Sequence, residues 1–228
     1  MYCLAYSEPD HGSDLAAIET RAEVRGNDCF VTGVKTWVAG ADRATHAVVL
    51  CRTGHGLASV LVPLDDNGVE VQPIRTLAGE DTLFQVVFEG SRGQPVDSGE
   101  FDSSPSPWLD AEAEFWDLVD TARRCGRSND SHIRQQLAWA YAQIRVIRAL
   151  ADRDVALARL MWSEFHRRFG EIAMEIVGAD GLVRPDAEAY TTSRWQRVFL
   201  TSRGDTIAAG TTEIQRITIA EDLLGLPR

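Results

Sequence analysis

The sequence predicts an α+β protein, an antiparallel β-sandwich or barrel domain followed by an all-α helical bundle domain. Three observations predict it. Between Ile18 and Glu89, short alternating apolar runs recur about every ten residues, with turn residues and no helical stretch between them. From Gly90 to Pro107 the composition shifts to serine, glycine and proline. Beyond it the apolar spacing becomes helical. These set a β domain over 1–95, a Ser/Pro-rich linker over 96–108 and a helical domain over 109–228.

The elements follow in order. Ser7-Glu8-Pro9-Asp10-His11-Gly12-Ser13-Asp14 must be a loop, since Pro9, Asp10 and Gly12 punctuate it. Ala22–Val24 and Cys29–Val31 flank Arg25-Gly26-Asn27-Asp28, a hairpin turn. Further strands are expected at Lys35–Val38, His46–Cys51, Ala58–Val62, Val69–Val71 and Phe84–Phe88. Helical stripes follow at Ala111, Phe115, Leu118, Ala122; at Ile133, Leu137, Ala140, Ile144, Ile147, Ala151; and at Ala158, Met161, Phe165, Phe169, Ile172, Ile176. Arg123-Arg124-Cys125-Gly126 and Gly178-Ala179-Asp180-Gly181 read as helix ends. Only Asp152-Arg153-Asp154 parts the second stripe from the third, so either a tight break or a shortened chain is expected there. A short helical segment spans Tyr190 to Leu200. The last helix is expected over Glu213–Leu224, after a small-residue turn over Ser202–Gly210, with Thr212 and Gln215 at capping-box spacing. Ala208-Ala209-Gly210 leaves the backbone before that helix bare, a setting suited to an anion or a polarised carbonyl.

Bulk properties exclude several functions. A net charge of −11 argues against non-specific nucleic-acid binding and against anionic membrane surfaces. No apolar run approaches the roughly 20 residues of a membrane span. Met1 to Tyr6 lacks the basic flank of a signal peptide. Cys3, Cys29, Cys51 and Cys125 are scattered and read as reduced thiols of a cytoplasmic protein, not as a metal site. His11, His46, His55, His132 and His166 show no ligand spacing and read as solvated or packed.

Three segments in this order carry a resemblance: the Ser7–Asp14 loop (SEPxxGSD), Gly33-Val34-Lys35-Thr36-Trp37, and Gly210-Thr211-Thr212-Glu213-Ile214-Gln215-Arg216. With them the chain resembles the acyl-CoA dehydrogenase family, and most of all its actinobacterial-type members. The family fold is an N-terminal helical domain, a central β domain and a C-terminal helical bundle. The resemblance covers the latter two, so a minimised paralogue or a partial chain is expected, with segments missing before residue 1, near 97–110 and near 152–154.

The resemblance implies FAD as cofactor and an acyl-CoA as substrate, oxidised to a 2-enoyl-CoA. It implies that Ser7 bonds the flavin pyrimidine side, that Ser13 lies near the diphosphate and the substrate, and that Trp37 packs by the isoalloxazine. Without it, Trp37 reads equally well as β-core packing. It places Thr211 and Glu213 at the adenosine half. It assigns Glu175, Gly178 and Ala179 to contacts across a subunit interface, which implies a homo- or hetero-oligomer. Arg216 reads as structural. Ala209 and Gly210 fall where the thioester carbonyl sits, with the Ala209 N–H as a donor. Two departures stand out. Ala39 occupies a position that often carries a hydroxyl toward flavin N5, and Ala209 occupies the usual slot of the catalytic glutamate. Asp110, Glu112 and Glu114, on the first C-terminal helix, are weak alternatives for the base, and no counterpart of the family's diphosphate arginine is identified. The expected function is therefore an FAD-dependent acyl-CoA dehydrogenase or a subunit of one. The alternative is a non-catalytic partner that contributes FAD contacts and lacks the base, and a flavin monooxygenase on the same fold is a third reading.

Overall fold

The computed structural model describes residues 1–26, 28–79, 82–97, 110–183 and 192–227. The chain divides into two compact units, one drawn from residues 1–76 and 80–104, the other from 77–79 and 105–228.

The first unit holds strands β1 (Tyr2–Ala5), β2 (Arg21–Arg25), β3 (Asp28–Ala39), β4 (His46–Thr53), β5 (Gly56–Pro63), β6 (Val69–Ile74) and β7 (Leu83–Val96). β5 pairs with β4 along all of 46–53, so β1 and β2 must share the opposite edge of β4, at 46–49 and at Arg52. β3 bonds β2 and β7, and β7 bonds β6 and then β5. The ring β4–β2–β3–β7–β5 therefore closes, and closure removes the exposed edges an open sheet would carry. The barrel expected from the sequence is present, with one correction. It is not wholly antiparallel, because β1 and β2 run parallel to β4. The core is formed by alternate residues such as Val31, Ala47, Val49, Cys51, Val60, Val62, Phe84, Val86 and Phe88.

Three further details differ from expectation. Tyr2–Ala5 forms a strand that its short pattern did not reveal. Cys29–Val31 and Lys35–Val38 belong to one strand, because Gly33 continues it at φ 152. A side chain at Gly33 would lie 2.4 Å from the hydroxyl of Thr20, so only glycine fits this close approach. Gly90 to Val96, expected in the composition break, are strand residues of β7 paired to β3 and β5. Of the expected hairpin turn, Asn27 lies outside the described residues, and Arg25 pairs with Asp28. Ser98 to Pro107 of the linker also lie outside them.

The second unit holds α1 (Ala111–Arg124), α2 (Ser131–Ala151), α3 (Val155–Val177), α4 (Arg194–Asp205) and α5 (Thr212–Thr218), with a 3₁₀ turn at Gly178–Leu182 and a π turn at Ile219–Leu223. The three sequence stripes supply its core, with Phe115, Leu118, Ile133, Ile144, Ile147, Phe165, Phe169, Ile172 and Ile176 buried together. A tight break, one of the two alternatives expected at Asp152-Arg153-Asp154, parts the second and third stripes into two helices. The N–H groups of Arg153 and Asp154 both turn back to the carbonyl of Leu150. Asp154 then goes extended and its carboxylate caps α3 by accepting from Leu157 N at 2.7 Å. The helices run back antiparallel, with Trp139 5.9 Å from Phe165 and Gln136 2.7 Å from Glu175. Ser193 and Gln196 form a reciprocal capping box that starts α4, and Tyr190 of the expected segment lies outside the described residues. Ser202–Asp205, expected as a turn, complete α4. Among the described residues no helix is long and apolar enough to cross a membrane.

Candidate functional site

In the barrel unit the site is built around a buried ion pair. Lys35 Nζ lies 2.9 Å from Glu8 Oε1, and the two side chains are 0% and 6% exposed. Lys35 also donates to the Tyr6 carbonyl at 2.8 Å. The Glu8 carboxylate accepts from the backbone N–H of Glu19 at 2.6 Å and of Thr20 at 2.8 Å. Burial opposes the charge on Glu8, but these donors outweigh it and hold its pKa down to about 2. Burial also pushes the Lys35 ammonium below its ordinary value, against the attraction of Glu8. The Ser7 carbonyl accepts from Thr36 N at 2.9 Å, which ties the loop to β3 next to this pair. The sequence reading used Lys35 only as part of a pattern and missed the pair. A lysine at an inward strand position and a glutamate in a Pro-Asp loop were the available signals.

One residue beyond Thr36, β3 bulges. Lys35 pairs with Val86 and Val38 with Phe84, so Thr36 and Trp37 together oppose Gln85. Trp37 adopts φ 59 and the residue is 59% exposed. The reading of Trp37 as core packing is thereby corrected, because the bulge turns the ring outward. Ala39 ends the strand, exposed, and Ser13 is exposed on the loop. Among the described residues the hydroxyls of Ser7 and Ser13 meet no hydrogen-bond partner.

In the helical unit the turn between α4 and α5 differs from its expected form. The N-cap of α5 is Thr211, not Thr212, and its hydroxyl accepts from Ile214 N at 3.3 Å. Gln215 does not close a capping box; its amide donates to the Ala209 carbonyl at 2.6 Å. A second bond, Thr212 N to Thr206 O at 3.1 Å, closes the loop. Ala209 sits at φ 51 and Gly210 at φ 96, and among the described residues their N–H groups meet no acceptor. α5 proper has 7 residues, so it carries little macrodipole, and the open donors are those of the turn itself. The Glu213 carboxylate is exposed in the first turn of α5. Trp37 and Ala209 are the two non-glycine residues at positive φ among the described residues, and both lie at positions picked out from the sequence.

The remaining candidates are placed as follows. Asp110 precedes α1 and makes no side-chain cap. Glu112 is bonded to Arg148. Glu114 bonds His166 Nε2 at 3.2 Å. Glu175 accepts from Gln136 at 2.7 Å and lies 3.0 Å from His132, while Ala179 is exposed in the 3₁₀ turn. Arg216, read as structural, is exposed and lines a groove of about 340 Å³ with Trp139, Met161, Phe165, Arg167 and Arg168. His166 is not solvated. It stacks on Trp162 at 4.6 Å and its Nδ1 lies 2.5 Å from Asp205.

Comparison with known proteins sets this geometry in a family. The model of the acyl-CoA dehydrogenase middle domain matches residues 3–90, and that of the C-terminal domain matches residues 111–224. The fold and these matches define a flavoenzyme class, and the chain belongs to the acyl-CoA dehydrogenase family, a family of oxidoreductases. Among its relatives is acyl-CoA dehydrogenase IpdE1 of Mycobacterium tuberculosis (strain ATCC 25618 / H37Rv), 34% identical over 100% of this chain and 67% of that protein. IpdE1 of Mycolicibacterium smegmatis (strain ATCC 700084 / mc(2)155) is 36% identical over 100% of this chain and 68% of that protein. The alignment to the first runs over 262 positions against 228 residues here, so the relative carries internal segments that this chain lacks. The fold is shared with the Tcur3481-Tcur3483 steroid ACAD, TM-score 0.82 at 22% identity over 100% of this chain and 68% of that one. It is also shared with a glutaryl-CoA dehydrogenase from Mycobacterium smegmatis in complex with FADH2, TM-score 0.77 at 20% identity over 99% and 66%.

Proposed function

We propose that this chain is an FAD-binding acyl-CoA dehydrogenase, or a subunit of one, that takes part in converting an acyl-CoA thioester to a 2-enoyl-CoA. The observation that carries this reading is the coincidence of strain with the matched positions. Trp37 and Ala209 hold left-handed backbone at a cost of about 1–3 kcal/mol each; Trp37 ends the Gly33–Trp37 segment and Ala209 immediately precedes the Gly210–Arg216 segment. In such a reaction the substrate loses a proton from Cα and a hydride from Cβ, and bound FAD supplies the hydride acceptor. This chain's own contribution is binding and orientation. Ser7 and Ser13 would hold flavin and diphosphate groups, Trp37 would cover the ring, and Thr211 and Glu213 would meet the adenosine half. The N–H of Ala209 would donate to the thioester carbonyl, which acidifies Cα, and Gly210 would leave room for that approach. Glu175 and Ala179 would serve the site of a neighbouring subunit in a homo- or hetero-oligomer.

A second reading has its own support: a partner subunit that completes a flavin site while another chain supplies the base. Ala209 has no carboxylate, and the alternatives Glu112 and Glu114 are engaged with Arg148 and His166. One experiment separates the two. Purified protein with a stoichiometric flavin band that bleaches anaerobically on adding acyl-CoA is a dehydrogenase. A band that stays oxidised marks the partner role, and a chain that takes up no flavin when reconstituted refutes both. Within a flavin-loaded sample, Ala209→Glu should create or raise reduction by acyl-CoA, and an unchanged rate would count against the assignment of that slot.

A further inference from the structure

Three helices of the second unit bring ionisable side chains to one point. His166 of α3 stands between Glu114 of α1, 3.2 Å from Nε2, and Asp205 of α4, 2.5 Å from Nδ1. Its side chain is 12% exposed and the ring lies against Trp162, 4.6 Å away and 18° from parallel. An ionised carboxylate can only accept, so both ring nitrogens must carry hydrogen for both contacts to hold. The geometry therefore demands an imidazolium. Burial by itself would disfavour that cation; the two carboxylates reverse the preference and lift the pKa to about 9.

Asp205 is the last residue of α4, and the turn that carries Ala209 starts at the next residue. Two more contacts hold that turn to α3. Arg159 donates to the Ala208 carbonyl at 2.8 Å, and the Thr212 hydroxyl donates to Glu164 at 3.1 Å. Arg203, also in the last turn of α4, lies 3.4 Å from Glu171 of α3, but its side chain is 35% exposed against 12% for His166, so His166 makes the more buried of the two ionic contacts. We propose that His166 is a positioning residue: its imidazolium pins the end of α4 against α1 and α3 and so sets the geometry of the 206–211 turn. The significance of that geometry for ligands rests on the function proposed above, but the pinning itself does not.

Loss of the proton leaves one ring nitrogen with a lone pair facing a carboxylate oxygen, and attraction becomes repulsion. The charged groups facing the ring are Glu114 from α1 and Asp205 from α4. Arg159, on α3, acts electrostatically on Asp205. The turn should accordingly shift as His166 titrates.

The test is made on the full chain by ¹⁵N-histidine and alanine-methyl NMR between pH 6 and 10, with flavin affinity measured in parallel. The expected result is that the Ala209 methyl resonance moves with the His166 midpoint near pH 9. In His166→Gln it should already sit at its high-pH position at pH 7 and lose its pH dependence, while the Ala47 methyl of the barrel core stays put. Asp205→Asn, which keeps the Glu114 contact, should reproduce the shift and guards against a poorly folded first variant. An Ala209 methyl that stays fixed while His166 titrates, or that is unmoved in the folded variants, overturns the proposal. A shifted methyl with at least a tenfold loss of flavin affinity supports both the pin and the site. A shifted methyl with unchanged flavin affinity supports the pin and refutes the turn's part in flavin binding.

Discussion

At the scale of single residues, the loop and strand that carry the barrel unit's candidate residues depend on a charge pair that water barely reaches. Lys35 and Glu8 were removed from solvent on folding, and their attraction and backbone bonds offset that desolvation. Truncating one partner leaves the other charge buried and alone. Lys35→Met should therefore destabilise the barrel by about 3–5 kcal/mol in denaturant unfolding, and Glu8→Gln/Lys35→Met together should cost distinctly less than Lys35→Met alone. An equal loss in the double variant would show that the interaction is not the source of the stability. Trp37 presents the opposite case. The residue is 59% exposed and its φ is 59, so the barrel loses little packing and sheds strain if the side chain goes. Trp37→Gly should leave thermal stability unchanged or raise it by ~1 kcal/mol, the relief of strain being partly offset by the added chain entropy of glycine. The same variant should weaken flavin binding. A large fall in stability would instead return Trp37 to a packing role.

At the scale of elements, the α2–α3 junction shows how few residues suffice to reverse a chain. The hydrophobic stripes run through Asp152-Arg153-Asp154 almost in phase, and periodicity alone could not tell one helix from two. The decision is made by an aspartate that leaves helical φ/ψ and caps the next helix. Asp154→Ala should cost about 1 kcal/mol, measured by urea unfolding, and should raise hydrogen exchange at Leu157 first. No change at Leu157 would mean that core packing alone defines the break. Strand β7 makes the converse point. Gly90, Ser91, Gly93 and Pro95 carry the composition of a linker, yet they are strand residues, because β3 and β5 offer them partners. A single sequence window does not contain those partners.

At the scale of the whole molecule, two pH limits belong to different units. The folded pKa of Glu8 is depressed to about 2, so its stabilisation is present above its ordinary 4.5 and is lost as pH falls toward 2. The folded pKa of His166 is raised to about 9, so its stabilisation is present below its ordinary 6.5 and is lost as pH rises through 9. Each shift corresponds to roughly 3 kcal/mol at most. Stability should therefore be greatest between about pH 4.5 and 6.5, with acid loosening residues of the barrel and alkali, up to about pH 9, those of the helical unit; above that the buried Cys3 and Cys51 thiols of the barrel begin to add their own loss. Hydrogen-exchange mass spectrometry, corrected for intrinsic rates, reads the two limbs separately. His166→Gln should flatten the limb between pH 6.5 and 9 in the helical unit and leave the acid limb as it is; a limb that persists there in the variant would trace to other groups.

By itself the sequence determined the change from β to α architecture, the three helical stripes and the segments that mark the family, because period, composition and short patterns act within a few residues. It also located Trp37, Ala209 and the Ser7 loop. Only the tertiary structure decided that the barrel closes through parallel as well as antiparallel pairs, that Trp37 faces outward on a bulge, and that Gln215 bonds a carbonyl instead of closing a cap. It alone also decided that Glu8 meets Lys35 and that His166 meets Glu114 and Asp205, across separations of 27, 52 and 39 residues. The physical reason is the same in each case. A buried charge or a strained backbone angle is settled by groups that folding brings close, and their approach is not encoded in the spacing of neighbours along the chain.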